Sequence, residues 1–257
     1  MLAANGVSRE ALHPSAQCPS RLGDMGRAET WRDVILTRMA TMLTATRPTL
    51  PPAAQLEVPW PALESGMTLS GAEFDRRYEL RPDIKKAELI QGVVYVASPV
   101  RITEHATPDS RLVGWLTNYA VLHRDTQSAN NGTVRLSLDD HVQPDAMLWY
   151  IIGGTAKVGS DSYMDGAPEL VVEIAASSAS IDLGAKLRSY QRAGVQEYVV
   201  WATEEKRITW FSLHDGVFIP LAPGVDGWTE SRVFPGLRFH IARLLAGDGT
   251  VILPGAA

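Results

Sequence analysis

The sequence is poor in cysteine, in long apolar runs and in excess positive charge. Its one cysteine, Cys18, excludes an intrachain disulfide and a zinc site built from several thiolates. No apolar run approaches the roughly 18 residues of a membrane-spanning helix, and the N-terminus lacks the basic-then-apolar order of a secretory signal. The net charge of −5 gives no general attraction to nucleic acid, so any nucleic-acid site must be local. These absences predict a soluble, cytoplasmic protein with no membrane partner.

The remaining composition is that of a folded protein. Apolar residues make up 45% and charged residues 21% of the 257 residues, which is enough for a sizeable core. Weak periodicity and repeated prolines over residues 1–59 predict a flexible N-terminal extension. Residues 60–257 are expected to form one domain.

Helix and strand patterns alternate along that domain. Ser70 and Glu73 fit a capping box that begins a short helix. Apolar residues at three- and four-residue steps predict two longer helices, over residues 103–123 and 179–193. Predicted strands cover residues 87–97 (as a hinged pair), 133–138, 143–152, 168–174, 197–201 and 208–213. The order predicts an α/β fold, borderline α+β, with helices beside a mixed β-sheet.

Three acidic residues interrupt apolar stretches that are typical of buried strands. Glu88 lies within the first strand pair, Asp145 directly precedes an apolar run, and Glu173 interrupts another. Burying an ionised carboxylate is costly unless a cation compensates its charge. Separate salt bridges, or exposure at strand ends, explain any one of the three equally well. If they converge, their oxygen atoms suit a hard divalent cation, with Mg²⁺ or Mn²⁺ fitting best.

A lysine stands where it could serve the same site. Lys186 lies on the predicted helix that follows Glu173, and its flexible side chain could return to the acids. There its ammonium group would hold an attacking water or stabilise charge at a reacting phosphate. An ordinary surface lysine is the simpler interpretation of this residue.

The order of these residues resembles the Uma2 family, which belongs to the PD-(D/E)XK nuclease superfamily. The resemblance covers roughly residues 60–245. It is carried by Glu88-Leu89-Ile90-Gln91-Gly92, Ser98-Pro99, His105, Pro144-Asp145, Glu169-Leu170-Val171-Val172-Glu173-Ile174, Asp182 with Lys186, Tyr190, and Gly194-Val195-Gln196-Glu197-Tyr198.

The resemblance implies a restriction-endonuclease-like fold and a metal-dependent endonuclease that hydrolyses DNA. It implies that Asp145, Glu173 and Glu88 bind Mg²⁺ or Mn²⁺ and that Lys186 is catalytic with them. His105 is expected to line the site and contact substrate. Arg188 and Arg192, near Lys186 on the same helix, are candidate contacts to DNA phosphates, although solvated charges are the simpler interpretation.

Some positions depart from the family's pattern. In the superfamily the lysine usually stands two residues after the second acid, where this chain has Ala175. The Uma2 pattern carries it on the next helix instead, at the position of Lys186. The Ser-Pro that often follows the glutamate, and an acidic residue after the Glu-Tyr strand, are both missing here.

Two other functions are compatible with the sequence. The main alternative is a catalytically inactive protein that keeps the nuclease fold for binding or as a scaffold, and a weaker one is a hydrolase of another phosphoester. The intact set of Glu88, Asp145, Glu173 and Lys186 favours the enzyme. Cutting both DNA strands with one site per subunit predicts a homodimer, by analogy with fold relatives.

Overall fold

Two six-stranded mixed β-sheets, with helices beside them, form the fold. The structure is a computed structural model that describes residues 61–176, 178–253 and 255. The predicted flexible extension of residues 1–59 lies outside the described residues. The predicted α/β fold with flanking helices is confirmed, but with two sheets where the sequence predicts one.

The first sheet carries Glu88. Its strands are β1 (Ala87–Ile90), β2 (Val93–Val96), β4 (Val134–Ser137), β5 (Asp140–Val142), β7 (Lys157–Val158) and β8 (Met164–Asp165). They lie in the order β2-β1-β5-β4-β8-β7, and only β4 and β8 pair in parallel. Strands as short as β5, β7 and β8 leave little periodicity in the sequence, which is why the division of the strands into two sheets was not predicted.

The second sheet carries Glu173, and Asp145 directly precedes one of its strands. Its strands are β3 (Thr126–Ala129), β6 (Ala146–Tyr150), β9 (Leu170–Ala175), β10 (Glu197–Ala202), β11 (Arg207–His214) and β12 (Val217–Pro220). Their order is β12-β11-β10-β9-β6-β3, with β9 and β10 parallel and the other neighbours antiparallel. A separate hairpin pairs β13 (Thr229–Glu230) with β14 (Arg238–Phe239).

The three predicted helices lie where the sequence predicts them, with irregular turns added, and the described residues contain a fourth short helix that was not predicted. They are α1 (Gly71–Glu79), α2 (Thr107–Leu122, after a π-helical turn at Ile102–Ala106), α3 (Ala179–Ile181, π-helical Asp182–Lys186, then Leu187–Ala193) and α4 (Ile241–Leu245), followed by a 3₁₀ turn at Gly249–Ile252. Ser70 caps α1, but the Glu73 carboxylate pairs with Arg76 and Arg77. Among the described helices, none has both the length and the apolar character that crossing a membrane requires.

The alternation of side chains along β9 places Glu173 between the layers. Successive residues of a strand point to opposite faces of a sheet. Leu170, Val172 and Ile174 join the core that contains α2, whereas Val171 and Ala175 join the core shared with α3 and the first sheet. Glu173 is on the second of these faces, so its carboxylate points toward α3, the helix that carries Lys186.

Gly194 ends α3 in a left-handed conformation, with φ of 85°. We expect Gly194→Ala to lower the free energy of unfolding by about 1–2 kcal/mol, because a Cβ is strained in this region. Gly114→Ala, within α2 and with open space around the added Cβ, should instead raise it by about 0.5–1 kcal/mol. Urea denaturation measures the free energy of unfolding of both variants. Equal changes of the same sign would contradict the left-handed conformation of Gly194.

Candidate active site

A cleft of about 730 Å³ brings the predicted acids and Lys186 together. Its walls come from the start of β1, the segment that leads into α2, the end of β9, and α3. Glu88, His105, Asp145 and Lys186 line it directly, and Glu173 lies behind Lys186. Residues far apart in the sequence therefore form a single site.

Asp145 is held by three groups at the base of the cleft. Its Oδ2 accepts a hydrogen bond of 2.8 Å from the backbone N–H of Ile174 and lies 3.3 Å from His105 Nε2. Its Oδ1 lies 2.9 Å from Lys86 Nζ. Burial disfavours its charged form, but the His105 hydrogen bond and the charges of Lys86 and Lys186 outweigh burial and hold the pKa of Asp145 well below its usual range.

Lys186 is the centre of a buried cluster of carboxylates. Its Nζ lies 2.6 Å from Glu173 Oε1, 3.0 Å from Glu88 Oε1 and 3.7 Å from Asp182 Oδ1. Burial lowers the pKa of Lys186, but the surrounding carboxylates outweigh burial and raise it well above its ordinary value. The ammonium therefore stays charged and compensates acids that burial alone would neutralise.

Two of these carboxylates, those of Glu173 and Glu88, are also fixed by a neutral partner. The Tyr190 hydroxyl donates to Glu173 Oε1 at 2.6 Å, and the backbone N–H of Gln143 donates to Glu88 Oε1 at 2.7 Å. Burial raises the pKa of Glu173, and the charge of Lys186 opposes that rise. Such surrounding donors orient the acids before any ligand arrives.

Two functional candidates in the cleft were missed by the sequence reasoning. Lys86 stands two residues before Glu88, and the two-residue period of a strand would have placed both on one face. Asp109, in the first turn of α2, has a buried Oδ1 without a hydrogen-bond partner in the structure. Burial and the nearby charge of Asp145 raise the pKa of Asp109 to about 6. Asp109 follows Thr107-Pro108 at the start of a helix, where no apolar run marks it as buried, so it gave no comparable signal.

Arg188 and Arg192 do not line the cleft. Arg188 is exposed, and the Arg192 guanidinium lies 3.2 Å from Asp140 Oδ2. Arg101 lines the cleft instead. Contacts of Arg188 and Arg192 with phosphates stay a prediction.

The chemistry of the donor set fits a hard divalent cation. Glu88, Asp145 and Glu173 present carboxylate oxygens, which Mg²⁺ and Mn²⁺ prefer, and Asp109 lines the same cleft. Within the described residues, no three acidic, histidine or cysteine side chains are arranged to hold one ion as they stand. The ammonium groups of Lys86 and Lys186 stand between the carboxylates instead.

Comparison with known proteins identifies the family. Residues 72–242 match the model of the Uma2 family, whose description reads "Putative restriction endonuclease". Among solved structures, the chain is similar to one described as "a putative nuclease belonging to DUF820" from Anabaena variabilis ATCC 29413. The two are 14% identical with a TM-score of 0.54, over 72% of this chain and 99% of the other, which shows a shared fold. No curated protein matches. Because the family match covers well over half of the sequence, the chain belongs to the Uma2 family.

Proposed function

We propose that this protein is a Mg²⁺- or Mn²⁺-dependent endonuclease that hydrolyses phosphodiester bonds in DNA. The observation that carries the proposal is the convergence of Glu88, Asp145 and Lys186 in one cleft, with Glu173 directly behind Lys186. The restriction-endonuclease description of the family, and the fold shared with a described nuclease, support the general class of activity.

The charge of the cleft supports a need for added cations. Its lining contains six acidic residues but only three lysines and arginines, together with His105: Glu88, Glu104, Asp109, Asp145, Asp182 and Glu204 against Lys86, Arg101 and Lys186. A phosphodiester is itself an anion, and like charges repel strongly in a partly desolvated cleft. Bound divalent cations would remove this repulsion while using the same carboxylates as ligands.

The acids and Lys186 then have different roles in the reaction. Asp145, Glu173 and Glu88 would hold the metal, which when bound lowers the pKa of a water and polarises the phosphodiester. The N–H of Ile174 keeps Asp145 oriented toward the cleft. Lys186, anchored by its acids, places a positive charge where negative charge accumulates during the reaction.

The proposal predicts metal-dependent cutting of plasmid DNA by the full chain. We expect supercoiled plasmid to be nicked or linearised with Mg²⁺ or Mn²⁺ and to stay intact with EDTA. Asp145→Asn should slow cutting by about 100-fold, since groups that hold or orient a metal typically matter by this much. Asp125→Asn changes an exposed acid outside the cleft and should cut at the wild-type rate.

The other functions give different results in the same assay. No cutting by folded protein with either metal would favour a catalytically inactive nuclease-fold binding or scaffold protein. Cutting of small phosphoesters in preference to plasmid would favour a different phosphoesterase. A homodimer with one site per subunit remains part of the proposal, because two-fold symmetry is the simplest way to cut both strands.

A further inference from the structure

Lys86 and Lys186 hold the acids of the cleft in different ways. Lys186 is only 3% exposed and contacts three carboxylates, so it is fixed within the protein. Lys86 is 23% exposed, lines the open cleft and contacts one carboxylate, that of Asp145. Its other polar neighbour is the Asn131 amide oxygen, at 3.4 Å. Of the two lysines, Lys86 is therefore the one with the more exposed side chain.

Asp145 leaves a metal one place to bind. Its Oδ2 is engaged by the Ile174 N–H at 2.8 Å and by His105. Its Oδ1 lies 2.9 Å from Lys86 Nζ, so the ammonium group occupies the position at which a metal would bind this oxygen. A divalent cation and an ammonium group cannot share this oxygen without strong repulsion, because both are positive and the carboxylate is only 3% exposed.

We propose that Lys86 is an exchangeable counter-ion for Asp145. Without metal it neutralises Asp145 and keeps the buried acid compensated. When a divalent cation binds Asp145, Lys86 leaves the carboxylate and turns into the cleft, where its ammonium contacts a phosphate of the substrate. This inference rests on the proposed metal site and assigns Lys86 as a positioning and substrate-contacting residue separate from Lys186.

The exchange predicts effects of opposite sign in one variant. In Lys86→Met, Mn²⁺ has no ammonium to displace, so calorimetric titration of the protein without DNA should show about tenfold tighter Mn²⁺ binding, within the usual range for coupled sites. The same variant, at saturating Mn²⁺, should show a KM for plasmid several-fold above wild type, because a phosphate contact is lost. A merely structural lysine would not tighten metal binding when removed.

Two further variants make the test specific. Lys86→Arg keeps the positive charge and should bind Mn²⁺ as weakly as wild type, even if Lys86→Met is less stable. Lys85→Met removes the neighbouring exposed lysine, whose ammonium contacts the Pro82 carbonyl. This variant should change neither the Mn²⁺ affinity nor the KM for plasmid.

The outcomes separate this inference from the proposed function. Equal or weaker Mn²⁺ binding by Lys86→Met than by wild type overturns the exchange while leaving a metal-dependent nuclease intact. Absence of Mn²⁺ binding in every variant overturns both, because the site then holds no metal. Tighter binding in Lys86→Met, with Lys86→Arg unchanged, supports the exchange.

Discussion

Replacing Lys186 with methionine is expected to lower the free energy of unfolding by about 3–5 kcal/mol near neutral pH, the cost of removing one partner from a buried ionic cluster. Methionine fills much the same space, so the loss is mainly electrostatic. Glu88, Glu173 and Asp182 would then lie buried around a missing charge. Cutting of plasmid should be lost as well, since the ammonium proposed to lie near the reacting phosphate is gone.

The stability deficit of Lys186→Met should shrink as the pH falls. Burial raises the pKa of Glu173 and Lys186 opposes that rise, so removing Lys186 raises this pKa further. The pKa of Asp182 is likewise raised by burial and lowered by Lys186. A folded state that binds more protons than the unfolded chain loses stability with rising pH, so urea denaturation should show a larger deficit at about pH 8.5 than at about pH 5.5.

Matched variants identify the cause of the deficit. Lys157→Met removes an exposed lysine on β7 and should leave stability nearly unchanged at either pH. Adding Glu173→Gln to Lys186→Met removes one uncompensated carboxylate and should restore part of the loss. A deficit of equal size at both pH values would show that packing, rather than charge, is the main contribution of Lys186.

The sequence reveals much of this site because burying charge is costly. Glu88 and Glu173 stand out as acids within apolar strands, and both are buried in the structure. The strand period fixes the face of each acid, and a helix following β9 brings Lys186 over that face. Burial and period are local properties, so single-sequence reasoning can use them.

The sequence reveals less about contacts that depend on how elements pack. Arg188 and Arg192 share a helix with Lys186, but which side of α3 meets the cleft is decided by packing against both sheets, and neither arginine lines the cleft. Arg101 and Asp109 reach it from the segment before α2 and from its first turn. The division into two sheets was missed for a related reason, since β5, β7 and β8, which join the predicted strands of the first sheet, gain their stability from neighbours rather than from a pattern of their own.

Glu173→Gln should abolish most of the cutting while leaving the fold in place. We expect plasmid cleavage to fall by about 100-fold, because an amide is a poor substitute for a carboxylate in the proposed role of metal ligand. The free energy of unfolding should fall by less than about 2 kcal/mol. The amide oxygen can still accept the hydrogen bond from the Tyr190 hydroxyl, and the ammonium of Lys186 still contacts the carboxylates of Glu88 and Asp182. Cleavage assays and urea denaturation of one preparation measure both.

Glu169→Gln is the matched control for this variant. Glu169 directly precedes the same strand and is equally buried, and its Oε2 accepts a hydrogen bond of 3.0 Å from the Tyr150 N–H. Of the two acids, Glu173 is the one that contacts Lys186 Nζ. It should therefore lose similar stability and keep cutting. If both variants cut at the same reduced rate, the activity follows the stability of β9 and Glu173 has no special role. If only Glu173→Gln fails to cut, the Glu173 carboxylate belongs to the reaction, because both acids are equally buried in the same segment and differ in the contact of Glu173 with Lys186.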